Sequence, residues 1–161
     1  MKNLLIVLMV LLVAASCKKE SSSDSYTPTP YSLVYPSNFP PPYLSSDNVL
    51  TSEGISLGRK LYFDPILSSN GLSCSSCHLR EKSFSSPVFT LNGVTKSIPP
   101  HVNLAWNPEY NWDGSAPVLD HVALGDFEPD FFNTNPDTLF KRLSTHAEYP
   151  DMFYKAFGIR D

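Results

Sequence analysis

The sequence predicts a mainly α-helical domain with long loops, carried behind an export signal and a proline- and serine-rich tether. Three observations lead there. Helix signals with a recognisable start or stop recur near residues 51–64, 118–124, 136–144 and 151–157. No alternating apolar–polar run of four or more residues stands out as a strand. Fifteen prolines among 161 residues break much of the remaining chain into irregular backbone. The length suits one domain, and a net charge of −4 without a basic cluster excludes nucleic acid as an expected partner.

Residues 1–16 read as an export signal. Lys2 supplies a short positive start, residues 4–15 are uninterruptedly apolar, and Ala14-Ala15-Ser16 places small side chains before Cys17. The apolar run is too short to span a bilayer, which takes about 20 residues. Small residues followed by cysteine resemble a bacterial lipobox. Cys17 is then lipidated and anchors the chain in the cell envelope, on the periplasmic side or the outer-membrane surface, touching the membrane through lipid alone. Ordinary secretory cleavage, with Cys17 a bystander, is the other reading.

Residues 17–46 form the tether, where Pro28, Pro30, Pro36, Pro40, Pro41 and Pro42 forbid regular helix or sheet. Tyr31, Tyr35, Phe39 and Tyr43 in its second half suit an extended arm packed on the domain. The domain itself is expected over 47–161. Its first helix starts at Thr51 or Ser52, with Glu53 favourable in the first turn and Pro65 as the stop. Leu57 and Leu61 share one face, with Tyr62 beside them. Gly58 costs about 1 kcal/mol of helix propensity, which implies that another helix or a bound group packs closely there.

The strongest chemical signal is Cys74-Ser75-Ser76-Cys77-His78. Two thiols three positions apart lie about one helical turn from each other and reach the two vinyl groups of one haem, and the histidine directly after becomes an axial ligand of its iron. A thioredoxin-like redox pair would need a βαβ framework, and a zinc site would need two further ligands. Of three cysteines, one goes to lipid and two to this motif, leaving none for a structural disulfide.

Residues 79–100 show no sustained period, with Pro87, Asn92-Gly93 and Pro99-Pro100 as breakers, so a long loop wrapped on the porphyrin is expected, with Phe84 and Phe89 as wall residues. An open sixth position on the iron admits peroxide, whereas an internal histidine or methionine makes an electron-transfer centre. The candidates are His101, His121, His146 and Met152, with His101 foremost because it follows the long loop. The helix at 136–144 is capped by Asn135, with Pro136 first and Leu139, Phe140 and Leu143 as its apolar face. The last helix, 151–157, ends at Gly158.

Several spaced segments now form a pattern. Leu57-Gly58-Arg59-Lys60-Leu61-Tyr62-Phe63-Asp64-Pro65, the Cys-x-x-Cys-His motif, Asn103-Leu104-Ala105-Trp106-Asn107, Trp112-Asp113-Gly114 and Ala123-Leu124-Gly125 follow one another in order. Together they resemble the N-terminal haem domain of the bacterial di-haem cytochrome c peroxidase family and its methylamine-utilisation relatives, from about residue 50 to Gly158. The resemblance implies a cytochrome c-like haem domain with one covalent haem c. It also implies an enzyme whose N-terminal haem reduces hydrogen peroxide to water. A C-terminal haem takes electrons from a small exported donor, a cytochrome c or a cupredoxin-like protein, in a layout that allows a homodimer. With one haem motif, the C-terminal haem domain is expected to be absent from this chain, as a fragment or a natural truncation.

Carried over residue by residue, Cys74 and Cys77 match the thioether cysteines and His78 the iron ligand. Trp112 matches the tryptophan that passes electrons between the two haems; a core aromatic is the other reading. The family supplies a proton-moving acid after the Ala-Leu-Gly segment. Glu128 is the nearest match by count and Asp130 the next, although the family's acid usually falls where Phe131 and Phe132 stand. Ser115 stands where the family often has arginine, and 79–100 lacks the removable histidine ligand of many members. The iron is therefore expected to be either permanently open or capped by His101. The competing function is a mono-haem electron-transfer lipoprotein without peroxidase turnover.

Overall fold

Helix α1 (Ser52–Phe63) begins where the Thr51 hydroxyl accepts from the Gly54 N–H at 3.0 Å, satisfying one of the free donors of the first turn. It ends at Asp64, directly before Pro65. The computed structural model describes residues 25–160, so the export signal and Cys17 lie outside the described residues. After α1 come the single turn α2 (Cys74–Cys77), a hairpin of β1 (Ser86–Leu91) and β2 (Val94–Ile98), and the short helix α3 (Leu119–Val122). Helices α4 (Pro136–Ser144) and α5 (Tyr149–Phe157) close the domain, with short 3-10 turns between elements. The architecture is mainly helical, as expected, with one small hairpin.

The core lies where α1 crosses α5. Leu57, Tyr149 and Ala156 are buried there, and Leu61, Ile66, Leu143, Met152 and Phe153 pack against them. A polar seam ties the same two helices. The Tyr149 hydroxyl donates to Asp64 Oδ2 at 2.8 Å, Asp64 Oδ1 accepts the Ile66 N–H at 2.9 Å, and Lys60 Nζ meets Glu148 at 2.8 Å. From α4, Arg142 donates to Ile66 O at 3.3 Å, Ser68 O at 2.8 Å and Ser69 Oγ at 2.8 Å. That fork braces the segment that leads toward α2.

Three local expectations change. The 79–100 stretch is not all loop, because it contains the β1–β2 hairpin. Its turn has positive φ at both Asn92 (52°) and Gly93 (78°), the backbone that a two-residue Asn-Gly turn requires. Pro87 coincides with a register irregularity between Ser86 and Phe89, where a missing N–H does least harm to the ladder. Gly58 is not closely approached: an added Cβ would meet nothing within 4 Å, and the residue borders an open groove of about 240 Å³ between Val49, Leu50, Ile55 and Phe157. Phe140, expected on the buried face of α4, is 62% exposed, leaving Leu139 and Leu143 to face inward.

The aromatic half of the tether packs as an arm. Tyr26 donates from its hydroxyl to Ala156 O at 2.9 Å, and the Ser52 N–H reaches Thr29 O at 2.9 Å. Farther along, the rings of Tyr35 and Phe39 meet Trp106 edge-on at 5.5 and 5.3 Å, and Trp106 Nε1 donates to Pro40 O at 2.8 Å. Trp106→Ala is expected to cost about 2 kcal/mol, less than a fully buried aromatic, and to open the 35–43 stretch to protease. Limited proteolysis with a denaturant melt checks this; an uncut arm and an unshifted melt would sink it.

Candidate functional site

Serines shape the turn that presents the thiols. The Ser73 N–H donates to Ser76 Oγ at 3.0 Å, and the His78 N–H closes the turn on Cys74 O at 3.0 Å. Cys74 and Cys77 thus share one helical turn, half-buried and not joined to each other. Burial, with the charge of Asp126 adding to it, pushes the Cys74 thiol up to about 11, and the same two causes raise Cys77. A redox pair needs a thiolate at neutral pH, so this environment opposes disulfide exchange. Among the described residues no group of three or more His, Cys, Asp or Glu is gathered to hold a metal ion by itself.

His78 is aimed by a backbone carbonyl. Its Nδ1 lies 3.0 Å from Phe84 O, and since a carbonyl only accepts, Nδ1 carries the proton and Nε2 is left to bind a metal. Ser83 (φ 58°) and Phe84 (φ 55°) are both left-handed without being glycine, an uncommon pair that turns this carbonyl back toward His78. Burial lowers the pKa of His78, against the opposing effect of the Phe84 and Pro99 carbonyls, which favours the neutral ring that a metal ligand requires.

Of the four candidates for the sixth position, only His101 is brought to His78. Its ring stacks on the His78 ring, and its Nδ1 is hydrogen-bonded to the Tyr62 hydroxyl at 3.2 Å. Burial first, then the neighbouring His78, pushes its pKa down to about 4, so this ring too is neutral. Burial, followed by the charges of Cys74 and Cys77, pushes Tyr62 up to about 12. His121 is exposed, His146 lies 4.9 Å from the Tyr149 ring, and Met152 packs in the core.

Glu128 and Asp130 are both exposed, whereas Asp126 is half-buried, has its pKa raised by burial, and acts electrostatically on both thiols. The loop that sorts them is held by Phe132 N–H to Asp126 O at 2.8 Å and Thr134 N–H to Phe127 O at 3.1 Å, with Phe132 buried beneath. Trp112 stands at the tip of a loop closed by Tyr110 and Ala116, and at 99% exposure it touches almost nothing among the described residues. Ser115 is part of that tip, its N–H donating to Asp113 Oδ1 at 3.0 Å. Sequence reasoning missed Tyr62 as the partner of His101, and no local signal marks it. Asp126 was within reach, because it directly follows Ala123-Leu124-Gly125.

A mainly helical domain that offers two thiols and a carbonyl-oriented histidine on one turn is the layout of a c-type haem protein. Residues 52–161 match the family described as di-haem cytochrome c peroxidase, and the chain belongs to that family. Its sequence is 36% identical over 118 residues to the methylamine utilization protein MauG of Methylorubrum extorquens, covering 69% of this chain and 33% of that protein. It is 34% identical over 108 residues to the cytochrome c551 peroxidase of Pseudomonas aeruginosa, covering 63% of this chain and 31% of the relative. The fold is similar to the crystal structure of a MauG-like protein associated with microbial copper homeostasis, with a TM-score of 0.71 and 28% identity, over 80% of this chain and 40% of that one. The chain thus spans about a third of the length of these two curated relatives.

Proposed function

We propose that this chain carries one covalent haem c and is the peroxidatic domain of a di-haem cytochrome c peroxidase. It would reduce hydrogen peroxide to water with electrons from a small exported donor, a cytochrome c or a cupredoxin-like protein. One observation carries the reading: on α2, two half-buried thiols free of each other precede a histidine whose Nδ1 is committed to a carbonyl. Cys74 and Cys77 would hold the porphyrin by thioether bonds, and His78 would offer Nε2 to the iron. Bound there, the haem supplies the centre at which H2O2 + 2 e− + 2 H+ → 2 H2O takes place.

What this chain must add is proton handling. A proton has to move from one peroxide oxygen to the other so that water can leave. Asp126 suits that task better than Glu128 or Asp130, because burial favours its protonated form while the other two side chains lie on the surface. Trp112, exposed at the tip of its loop, suits a side chain that a second haem domain covers and uses for electron passage. Lipidation at Cys17 would hold the whole at the cell envelope.

The test is peroxide turnover by the haem-loaded, full-length protein with a reduced donor. Asp126→Asn is expected to slow turnover roughly a hundredfold while Glu128→Gln leaves it nearly unchanged. The reverse result hands the role to Glu128. An unmutated protein that passes electrons but never consumes peroxide replaces the enzyme with the electron-carrier reading.

A further inference from the structure

The rings of His78 and His101 lie face to face, with centroids 3.3 Å apart and planes 17° from parallel. Both residues share one acceptor: Phe84 O is 3.0 Å from His78 Nδ1 and takes the His101 N–H at 3.1 Å. The side chain of His101 is also tied to α1, through its Nδ1 and the Tyr62 hydroxyl at 3.2 Å. His101 is therefore held by its backbone, by its ring face and by a ring nitrogen.

This arrangement bears on whether His101 caps the iron. Were a haem held by His78, a histidine in the sixth position would have to reach the metal from the side opposite His78. A ring in face contact with His78 would stand on the His78 side of a bound haem. The two placements exclude each other.

We infer that His101 is a positioning residue of the His78 side: stacked on the axial imidazole and held by Tyr62, it fixes the plane of that ring and is not itself the ligand on the opposite face of the iron. The inference rests on the haem reading above. A hydrogen bond at Nδ1 sets the tautomer of His78 and helps orient its ring, and the stacked ring of His101 adds a second restraint on its rotation. Peroxide binding would then require no displacement of His101.

The test uses the full-length protein matured with haem, in four forms: unmutated, His101→Ala, His101→Phe and Tyr62→Phe. Denaturing gels stained for haem come first, followed by electron paramagnetic resonance of the ferric state and the iron–histidine stretch in ferrous resonance Raman spectra. All four forms are expected to show the same axial ligands. The iron–histidine band should broaden in His101→Ala, partly broaden in Tyr62→Phe, and stay sharp in His101→Phe, whose ring restores the stack without being able to ligate. A bis-histidine signature in the unmutated protein that both His101 variants lose overturns the inference, as does a band unchanged in His101→Ala. A chain that takes up no covalent haem overturns the haem reading and this inference together, whereas the other two results overturn this one alone.

Discussion

Serine at both Cys74 and Cys77 is expected to abolish covalent haem attachment, and serine at either one to leave a single, weaker thioether link. The prediction follows from the turn itself. Both sulfurs are free and half-buried on α2, and no other cysteine lies among the residues of the family match. Serine keeps the size of the side chain and leaves the Ser73–Ser76 contact that shapes the turn in place. The loss is thus one of bond chemistry and not of folding. A haem stain on a denaturing gel reads it directly: colour stays with the unmutated chain and leaves the double variant. Haem that stays with the double variant through denaturation would refute both the attachment sites and the function built on them.

Tyr149→Ala is expected to be the most damaging single change to stability, at about 3–5 kcal/mol, because it empties a fully buried aromatic site between α1 and α5. Tyr149→Phe keeps the ring and removes only the 2.8 Å hydrogen bond to Asp64, for about 1.5–3 kcal/mol. The two variants also separate in acid. Burial alone raises the Asp64 pKa, but hydrogen bonds from Tyr149 and from the Ile66 N–H, with the Lys60 charge, hold it below its ordinary 3.8. A carboxylate depressed in the folded state takes up its proton at higher pH when unfolded. Its contribution is therefore present above about pH 4 and lost as pH falls through the folded pKa. Tyr149→Phe brings the Asp64 pKa back toward its ordinary value and so flattens the acid limb. Urea midpoints from pH 3 to 7 measure both effects; parallel curves for the unmutated and Phe proteins would remove Tyr149 from the account.

Helix ends were legible because capping is local. Asn135 accepts from the Thr138 N–H at 2.8 Å, and Gly158 closes α5 with φ 73°, as the residue types alone suggest. The hairpin was written just as locally in Asn92-Gly93. Its strands hid it, because most of their side chains are exposed and so leave no alternation of apolar and polar residues to detect. Phe140 misled for the opposite reason. Helical period says which residues share a face, but where a face ends depends on what lies opposite, and among the described residues nothing buries this ring.

By itself, the sequence determined the family, through several short segments in a fixed order, and the thiols and histidine that the Cys74–His78 turn offers. Only the tertiary structure decided what surrounds that turn. His101 stacks on His78 because two left-handed residues swing the Phe84 carbonyl back and Tyr62 arrives from α1. Asp126 is half-buried and acts on the charge of the thiols, while Glu128 stays exposed, because backbone hydrogen bonds close the loop that carries both. Contacts of this kind join segments far apart in the chain, so neither composition nor periodicity carries a trace of them.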